Sequence, residues 1–314
     1  MKLSSSTGDF AFYLGSIDKM AECFGQTKFK YVNLEQTGTV PELFSENEDD
    51  VKRLADACGN AAARAGISYV ISHAPCLHNA VLSAIDNPSD EQYTANVRAI
   101  RRSIEVCHLL GIPNIVVHAC TEKSFTREDF YKYNRMFYQS LFPTAERYGI
   151  TMLTENWDND GTHFSTGRAM RDFIDYMGHP LLSACWDTAH GNLAKSAREQ
   201  GQYRNIVDLG DKLKGLHISD NFGLFHHHSW PFSGYINFDE VMQGLIDVGY
   251  DGYFNFEASY TLIHHKKFPR KSWEYNGKEV TTLLDPPLGL KLKAVDLLYD
   301  IGQHILESYG CFEP

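Results

Sequence analysis

Short apolar segments alternate with longer segments of helical periodicity along almost the whole chain. The short segments are rich in β-branched and aromatic residues, which is typical of strands. The segment at 114–118 is apolar up to its final histidine, as strands buried in a parallel sheet are. We predict eight strands, the first within 2–13 and the others at 31–35, 68–73, 114–118, 150–155, 181–187, 213–218 and 252–257.

The longer segments carry apolar residues at spacings of three and four, which predicts amphipathic helices between the strands. Gly66, Gly111 and Gly149 stand where three of these segments end, and glycine is the residue expected just after a helix. We predict helices at 51–65, 91–110, 127–147, 168–178, 201–209, 238–249 and 291–307.

Alternating strands and helices predict an α/β fold with a parallel sheet. Eight such units without a break in composition favour one closed (β/α)8 TIM barrel, with residues 1–314 as a single domain. A doubly wound open sheet competes with this fold, but its Gly-x-Gly-x-x-Gly motif follows no predicted strand.

The connection at 259–289, between the eighth strand and the C-terminal helix, is an extended loop rather than a short βα connection. Long loops within a compact domain are often functional lids. This one would clamp an anionic substrate or build a subunit interface, and a solvated basic loop is the alternative. Its basic cluster consists of His264, His265, Lys266, Lys267, Arg270 and Lys271.

The chain has 29 basic and 40 acidic residues, which gives a formal net charge of −11. This charge argues against a nucleic-acid partner, because neutralising phosphates supplies most of the non-specific affinity for DNA. No signal peptide or membrane-spanning apolar run is evident, so we expect a cytoplasmic protein without membrane contact. The seven cysteines are scattered without a Cys-x-x-Cys pair, and we interpret most of them as small apolar residues.

Four acidic or imidazole side chains stand where four successive predicted strands end: Glu155, Asp187, His217 and Glu257. They are separated by about one β/α unit each, which takes roughly 30 residues. In barrels of this class the functional residues gather at the C-terminal rim of the strands. We therefore predict that the four residues bind one divalent metal. Three carboxylates and one imidazole suit Mn²⁺ best, with Mg²⁺ or Co²⁺ as alternatives.

Further polar and aromatic residues fall on the same rim. We expect substrate contacts from His73, His118, His190, Trp157 and His228. Additional metal ligands are His73, His118, His226 and His228, and with the first two of these Zn²⁺ becomes competitive. Each histidine taken alone would also fit a hydrogen-bonded core residue, and the three histidines at 226–228 would also fit a polar loop. Trp157 and Trp230 follow strand ends and are candidates for the pocket wall.

Two of the rim carboxylates, Glu155 and Glu257, would flank the metal and act as the catalytic pair. One removes a proton from the carbon beside a carbonyl, and the other returns a proton at the same or a neighbouring carbon. The metal, as a Lewis acid, would stabilise the enediolate oxygen. This chemistry requires a bidentate carbohydrate substrate such as a ketose.

The chain resembles the xylose isomerase-like barrel superfamily, which contains sugar epimerases and isomerases, inosose-type enzymes and apurinic endonucleases. The resemblance lies in LeuThrGluAsn (153–156), TrpAspThrAlaHisGly (186–191), LeuHisIleSerAspAsn (216–221), ProPheSerGlyTyrIleAsnPhe (231–238) and PheGluAla (256–258). In the epimerase branch the residues matching Glu155, Asp187, His217 and Glu257 bind one metal, the two glutamates shuttle protons, and the residue matching His190 contacts substrate.

The endonuclease branch adds metal ligands that match His73 and His118, and an Asp-x-His pair near 226–228. This chain has three histidines there and no aspartate, and ProPheSerGly replaces the usual ProGly-x-Gly.

The favoured hypothesis is a metal-dependent isomerase or epimerase that acts on a sugar or sugar phosphate. One alternative is an endonuclease IV-like zinc phosphodiesterase that cleaves abasic DNA. Others are a dehydratase or lyase on the same rim, and a non-enzymatic barrel that senses sugars. Barrels of this branch often pair, so a homo-oligomer fits the resemblance. The sugar, its phosphorylation and the choice between isomerase and epimerase stay open.

Overall fold

The computed structural model describes residues 1–36, 40–76, 91–262, 273–280 and 285–314. Eight parallel strands form one sheet. They are β1 Lys2–Ser6, β2 Tyr31–Glu35, β3 Ser68–His73, β4 Asn114–Val116, β5 Thr151–Glu155, β6 Leu182–Asp187, β7 Leu213–His217 and β8 Tyr253–Phe256. Strand β1 pairs with both β2 and β8, and a parallel bridge between Ile218 and Phe256 connects β7 to β8. The predicted barrel is confirmed.

The helices lie between the strands, and ten are described. They are α1 Ile17–Cys23, α2 Pro41–Phe44, α3 Asp49–Ala65, α4 Glu91–Leu110, α5 Arg127–Tyr148, α6 Gly167–Met177, α7 Thr188–Leu193, α8 Lys195–Leu209, α9 Phe238–Asp247 and α10 Leu288–Ser308. The short helices α1, α2 and α7 were not predicted. Helix α8 begins before the predicted 201–209, and Gly201 interrupts it with a φ of 80°.

The inside of the barrel is filled by a small apolar cluster, separate from the large core. An added Cβ at Gly215 would lie 2.6 Å from Leu153 Cδ1 and 3.3 Å from Ile71 Cδ1. Side chains from β3 and β5 therefore meet the backbone of β7 inside the barrel. This packed layer leaves room for polar side chains at the C-terminal ends of the strands.

Part of the connection after β8 forms an antiparallel pair, β9 Trp273–Tyr275 with β10 Lys278–Val280. The basic cluster at 264–271 lies outside the described residues. Within the described part of the chain, no helix combines the length and apolar character needed to cross a bilayer. The cytoplasmic location stays a prediction.

Candidate metal centre

The four predicted metal ligands meet at the C-terminal rim of the barrel. Glu155, Asp187 and His217 are the last residues of β5, β6 and β7, and Glu257 directly follows β8. Each offers one ligand atom, and these four atoms all lie within 4.8 Å of one another. The first three residues are buried, while the Glu257 side chain keeps 20% of its surface exposed. One ion placed among them would reach all four donors after small adjustments.

Most donor atoms in this group form no hydrogen bond with the described residues. Both carboxylate oxygens of Glu155, Oδ2 of Asp187 and both ring nitrogens of His217 are buried without a hydrogen bond among the described residues. His217 Nδ1 lies 3.0 Å from Glu155 Oε1 and 3.2 Å from Glu257 Oε2. A buried polar group without a partner costs about 1–3 kcal/mol, and more if it is charged. A divalent cation would satisfy these atoms together, so the residues fit a metal.

The charges of the group are strongly coupled. Burial alone would lower the pKa of His217, but Cys185, Glu155 and Glu257 raise it well above its usual range. Burial raises the pKa of Glu155. The pKa is nevertheless held well below its usual range, first of all by the charge of His217. The pKa of Asp187 is raised to about 6, chiefly by burial. Three carboxylates around one imidazole thus favour an added positive charge.

His73 and His118 lie beside this group, on the side of Glu155. Nε2 of His73 is 3.1 Å from Nε2 of His118, and Glu155 Oε2 is 3.6 Å and 3.2 Å from these two nitrogens. His73 Nδ1 contacts the carbonyl of Ala74 at 2.7 Å. Donating the Nδ1 proton to that carbonyl would leave Nε2 free to bind a metal or substrate, as in many metal-bound histidines.

Cys76 also reaches this side of the rim and is an exception to the expectation that most of the cysteines are small apolar residues. It is exposed, whereas Cys58 and Cys107 are buried. Its Sγ and the donor nitrogens of His73 and His118 all lie within 4.8 Å of one another. Cys76 follows Pro75 in the loop after β3, and only that position in the sequence marks it as a rim residue.

A third group of donors consists of His190, His226 and His228, whose ligand atoms also lie within 4.8 Å of one another. Nε2 of His226 is 2.5 Å from Nε2 of His228, and Nε2 of His190 is buried without a partner. Burial lowers the pKa of His228 to about 4, so its ring is neutral at pH 7. His227, which stands between them in the chain, is not part of this group.

Asp158 supports this third group and was not predicted. Its Oδ2 lies 3.1 Å from Nδ1 of His226, and this contact is the main cause that holds the pKa of Asp158 below its usual range. The sequence offers little signal for it, because Asp158 stands in a loop with other polar residues.

All three groups open into one cleft of about 1350 Å³. Trp157 lines it, donates from Nε1 to the carbonyl of Ala119 at 3.2 Å, and meets the His118 ring edge-on with centroids 5.0 Å apart. Trp230, the other tryptophan considered for the wall, packs half-buried against the large core. The site therefore offers acidic, imidazole and aromatic surfaces to one small molecule.

Comparisons with known proteins identify the family and the fold of the chain. The family model described as xylose isomerase-like TIM barrel matches residues 26–275. The uncharacterized protein y4fM of Sinorhizobium fredii is 25% identical over 182 residues, 54% of each chain. A ketose 3-epimerase of Arthrobacter globiformis is 28% identical over 94 residues, 30% of this chain and 29% of its own. A probable endonuclease 4 of Methanoculleus marisnigri is 26% identical over 197 residues, 57% of this chain and 67% of its own.

The matches to the first two curated relatives span 54% and 56% of those proteins' own length. Solved structures match more completely. A D-tagatose 3-epimerase-like protein aligns over 98% of this chain and all of its own, with a TM-score of 0.67 and 20% identity. D-psicose 3-epimerase of Clostridium cellulolyticum aligns over 98% of this chain and 99% of its own, with a TM-score of 0.68 and 14% identity. The family model covers most of the chain, and the chain belongs to the xylose isomerase-like TIM barrel family.

Proposed function

We propose that the protein is a divalent-metal-dependent epimerase or isomerase that acts on a ketose. The observation that carries the proposal is the convergence of Glu155, Asp187, His217 and Glu257 within 4.8 Å, with buried carboxylate oxygens of Glu155 and Asp187 that form no hydrogen bond with any described residue. The names of the related ketose 3-epimerase and D-tagatose 3-epimerase-like protein support the substrate class.

The four residues would hold the metal, and Mn²⁺ fits their oxygen-rich set best. A divalent cation bound there supplies a Lewis acid that polarises the carbonyl and hydroxyl of the substrate. His73 with His118, and His226 with His228, are further ligands that would each hold an additional ion, and otherwise they would donate hydrogen bonds to the sugar.

The catalytic pair in this proposal is Glu155 and Glu257. Both carboxylates lie close to His217 Nδ1. The imidazole therefore stands between two acidic groups, one at the end of β5 and one just after β8. A sugar lying between the glutamates would present a carbon to each carboxylate. One glutamate removes the proton from the carbon beside the carbonyl, and the other donates a proton to the opposite face of that carbon or to its neighbour.

Substrate orientation falls to the surrounding wall. Trp157 would stack on the hydrocarbon face of the sugar, and His190 would hydrogen-bond to a hydroxyl through its unpartnered Nε2. His190 Nδ1 lies 2.8 Å from the carbonyl of Asn156, which fixes the ring for this contact.

The test combines metal analysis with isotope exchange. Protein purified without chelator should contain about one Mn, Mg or Co per chain, and it should wash deuterium from solvent into a ketohexose at the carbon beside the carbonyl. Glu155→Gln and Glu257→Gln should each lower exchange by at least about a hundredfold, in the range of lost general acid–base catalysis. Glu199→Gln, an exposed glutamate on α8, is the control. Wild-type exchange in both glutamine variants would refute the assignment.

One observation favours a second candidate, hydrolysis of phosphodiesters at a multinuclear zinc site. The His73–His118 pair and the group of His190, His226 and His228 supply imidazoles for two further ions. The probable endonuclease 4 among the relatives supports it, and the net charge of −11 opposes it. Close to three zinc ions per chain, together with cleavage of an abasic DNA duplex, would favour this candidate over the epimerase.

A further inference from the structure

A buried ammonium group lies outside the metal centre and is not used in the proposed proton transfer. The side chain of Lys291, in the first turn of α10, is fully buried, and the side chain of Asp9 beside it is 1% exposed. Taking an ammonium out of water costs several kcal/mol, and apolar residues of similar volume are often as stabilising as a buried ion pair. Neutralising Asp9 is one role of this ammonium, and its other contacts point to a second.

The ammonium also binds two backbone carbonyls of the segment that follows β8. An ammonium group has three N–H donors, and three oxygens accept from Nζ of Lys291. They are Asp9 Oδ1 at 3.5 Å, the carbonyl of Ser259 at 3.3 Å and the carbonyl of Thr261 at 2.7 Å. Two of the three acceptors, including the nearest, thus belong to residues 259–261 and carry no formal charge.

The same segment is continuous with Glu257 of the metal centre. Ser259 stands two residues after Glu257, and both line the cleft. On its other side, the N–H of Tyr260 donates to the carbonyl of His228 at 3.0 Å. Nδ1 of His228 in turn lies 3.1 Å from the carbonyl of Glu257. A shift of residues 259–261 would therefore move the backbone of Glu257 and the ring of His228.

Asp9 connects this contact to the first strand, where β8 pairs with β1 and the barrel closes. Asp9 Oδ2 accepts a hydrogen bond from Ser5 Oγ at 2.6 Å. Ser5 lies on β1, and its register partner on β8 is Phe256, the residue before Glu257. Lys291 thus joins three parts of the chain that are distant in sequence, namely the segment after β1, the segment after β8 and the start of α10.

We propose that Lys291 is a positioning residue of the metal centre. Its ammonium holds the segment after β8 through the two carbonyls, and this segment fixes the positions of Glu257 and His228. The inference rests on the proposed function, in which Glu257 transfers a proton, and adds the residue that holds this glutamate. Neutralising Asp9 and positioning Glu257 are separate effects of one ammonium, so different variants separate them.

The experiment measures stability and proton exchange in the same variants of the full chain. Lys291→Met combined with Asp9→Asn removes both buried charges and should recover most of the wild-type free energy of unfolding in urea. The two carbonyls have lost their donor, however. The kcat for deuterium exchange of a ketohexose by the Mn²⁺-loaded protein should therefore fall about 10–100-fold, the range for lost outer partners of a metal site. KM should stay nearly unchanged, because Lys291 is buried outside the cleft.

Asp9→Asn alone is the matched variant with the opposite pattern. It leaves the lysine without its carboxylate and should lower the free energy of unfolding. The amine still donates to the carbonyls of Ser259 and Thr261, so kcat should equal that of the wild type. Mn²⁺ titration gives a second readout that does not depend on turnover. The Kd should rise about tenfold in the double variant and stay unchanged in Asp9→Asn.

A wild-type kcat and Mn²⁺ Kd in the double variant would overturn the inference and leave Lys291 as the counter-ion of Asp9 alone. The inference would also fail if Asp9→Asn lost as much exchange as the double variant, since loss of the ion pair would then explain both results. If no ketose exchanges deuterium in the wild-type protein, the proposed function fails instead, and the Mn²⁺ Kd still tests the lysine.

Discussion

The side-chain amide of Asn156 holds the backbone of Asp187 through two hydrogen bonds. The N–H of Asp187 donates to Oδ1 at 2.7 Å, and Nδ2 donates to the carbonyl of Asp187 at 3.0 Å. Asp187 Oδ1 in turn accepts a hydrogen bond from the N–H of His190 at 2.7 Å. These contacts fix the carboxylate so that its other oxygen, Oδ2, is left for a metal.

Replacing Asn156 by alanine should weaken metal binding without removing a ligand. The end of β6 would lose both hydrogen bonds, and the loss of such outer partners typically lowers metal affinity about 10–100-fold. Mn²⁺ titration followed by the paramagnetic resonance of the free ion measures the Kd. Asn60→Ala, at an exposed position of α3, should keep the wild-type Kd. Equal affinity in Asn156→Ala would show that the two hydrogen bonds do not orient the ligand.

The barrel and its four strand-end residues could be predicted because both follow from local pattern. All strands of a parallel barrel end at the same rim. Glu155 and His217 therefore had to lie at one edge of the barrel once the strands were recognised. Strand β4 shows the limit, since it ends at Val116 and leaves His118 in the following loop.

The remaining parts of the site depend on loop conformation. Loops have no repeating pattern of apolar residues from which their conformation could be predicted. Asp158 and Cys76 reach the rim only because their loops turn inward, and neither stands in a periodic segment. The three adjacent histidines could not be separated beforehand, although the structure directs His226 and His228 into the cleft.

Gly215→Ala should destabilise the barrel. Its Cβ would lie 2.6 Å from Leu153 Cδ1, inside a closely packed layer that has no space for another methyl group. Overpacking of this kind costs about 1–3 kcal/mol. Urea unfolding measures it, with Gly289→Ala as the matched control, because a Cβ there meets nothing within 4 Å. A stability equal to wild type would mean that Leu153 moves aside freely.

Asp187→Asn should stabilise the metal-free protein at neutral pH while abolishing tight metal binding. Burial first, then Glu155 and Glu257, raise the pKa of Asp187 to about 6, so its ionised form is disfavoured in the fold. A raised carboxyl pKa costs stability above that pKa, and the cost disappears as the pH falls toward the unfolded value. The variant's advantage over wild type should therefore shrink by about 1 kcal/mol between pH 7 and pH 5. Urea unfolding in chelator at both values measures it, and a constant or growing advantage would contradict the pKa.

Lys291 should be required for stability because it neutralises a buried carboxylate. Its side chain and that of Asp9 are both almost fully buried, with Nζ 3.5 Å from Asp9 Oδ1 and 2.7 Å from the carbonyl of Thr261. Lys291→Met would leave the charge of Asp9 uncompensated, at a cost of about 3–5 kcal/mol. The double variant with Asp9→Asn removes both charges and should recover most of that loss in urea unfolding. Lys293→Met, exposed on the same helix, should be neutral. If the double variant is as unstable as Lys291→Met alone, the lysine acts through Thr261 and not through the ion pair.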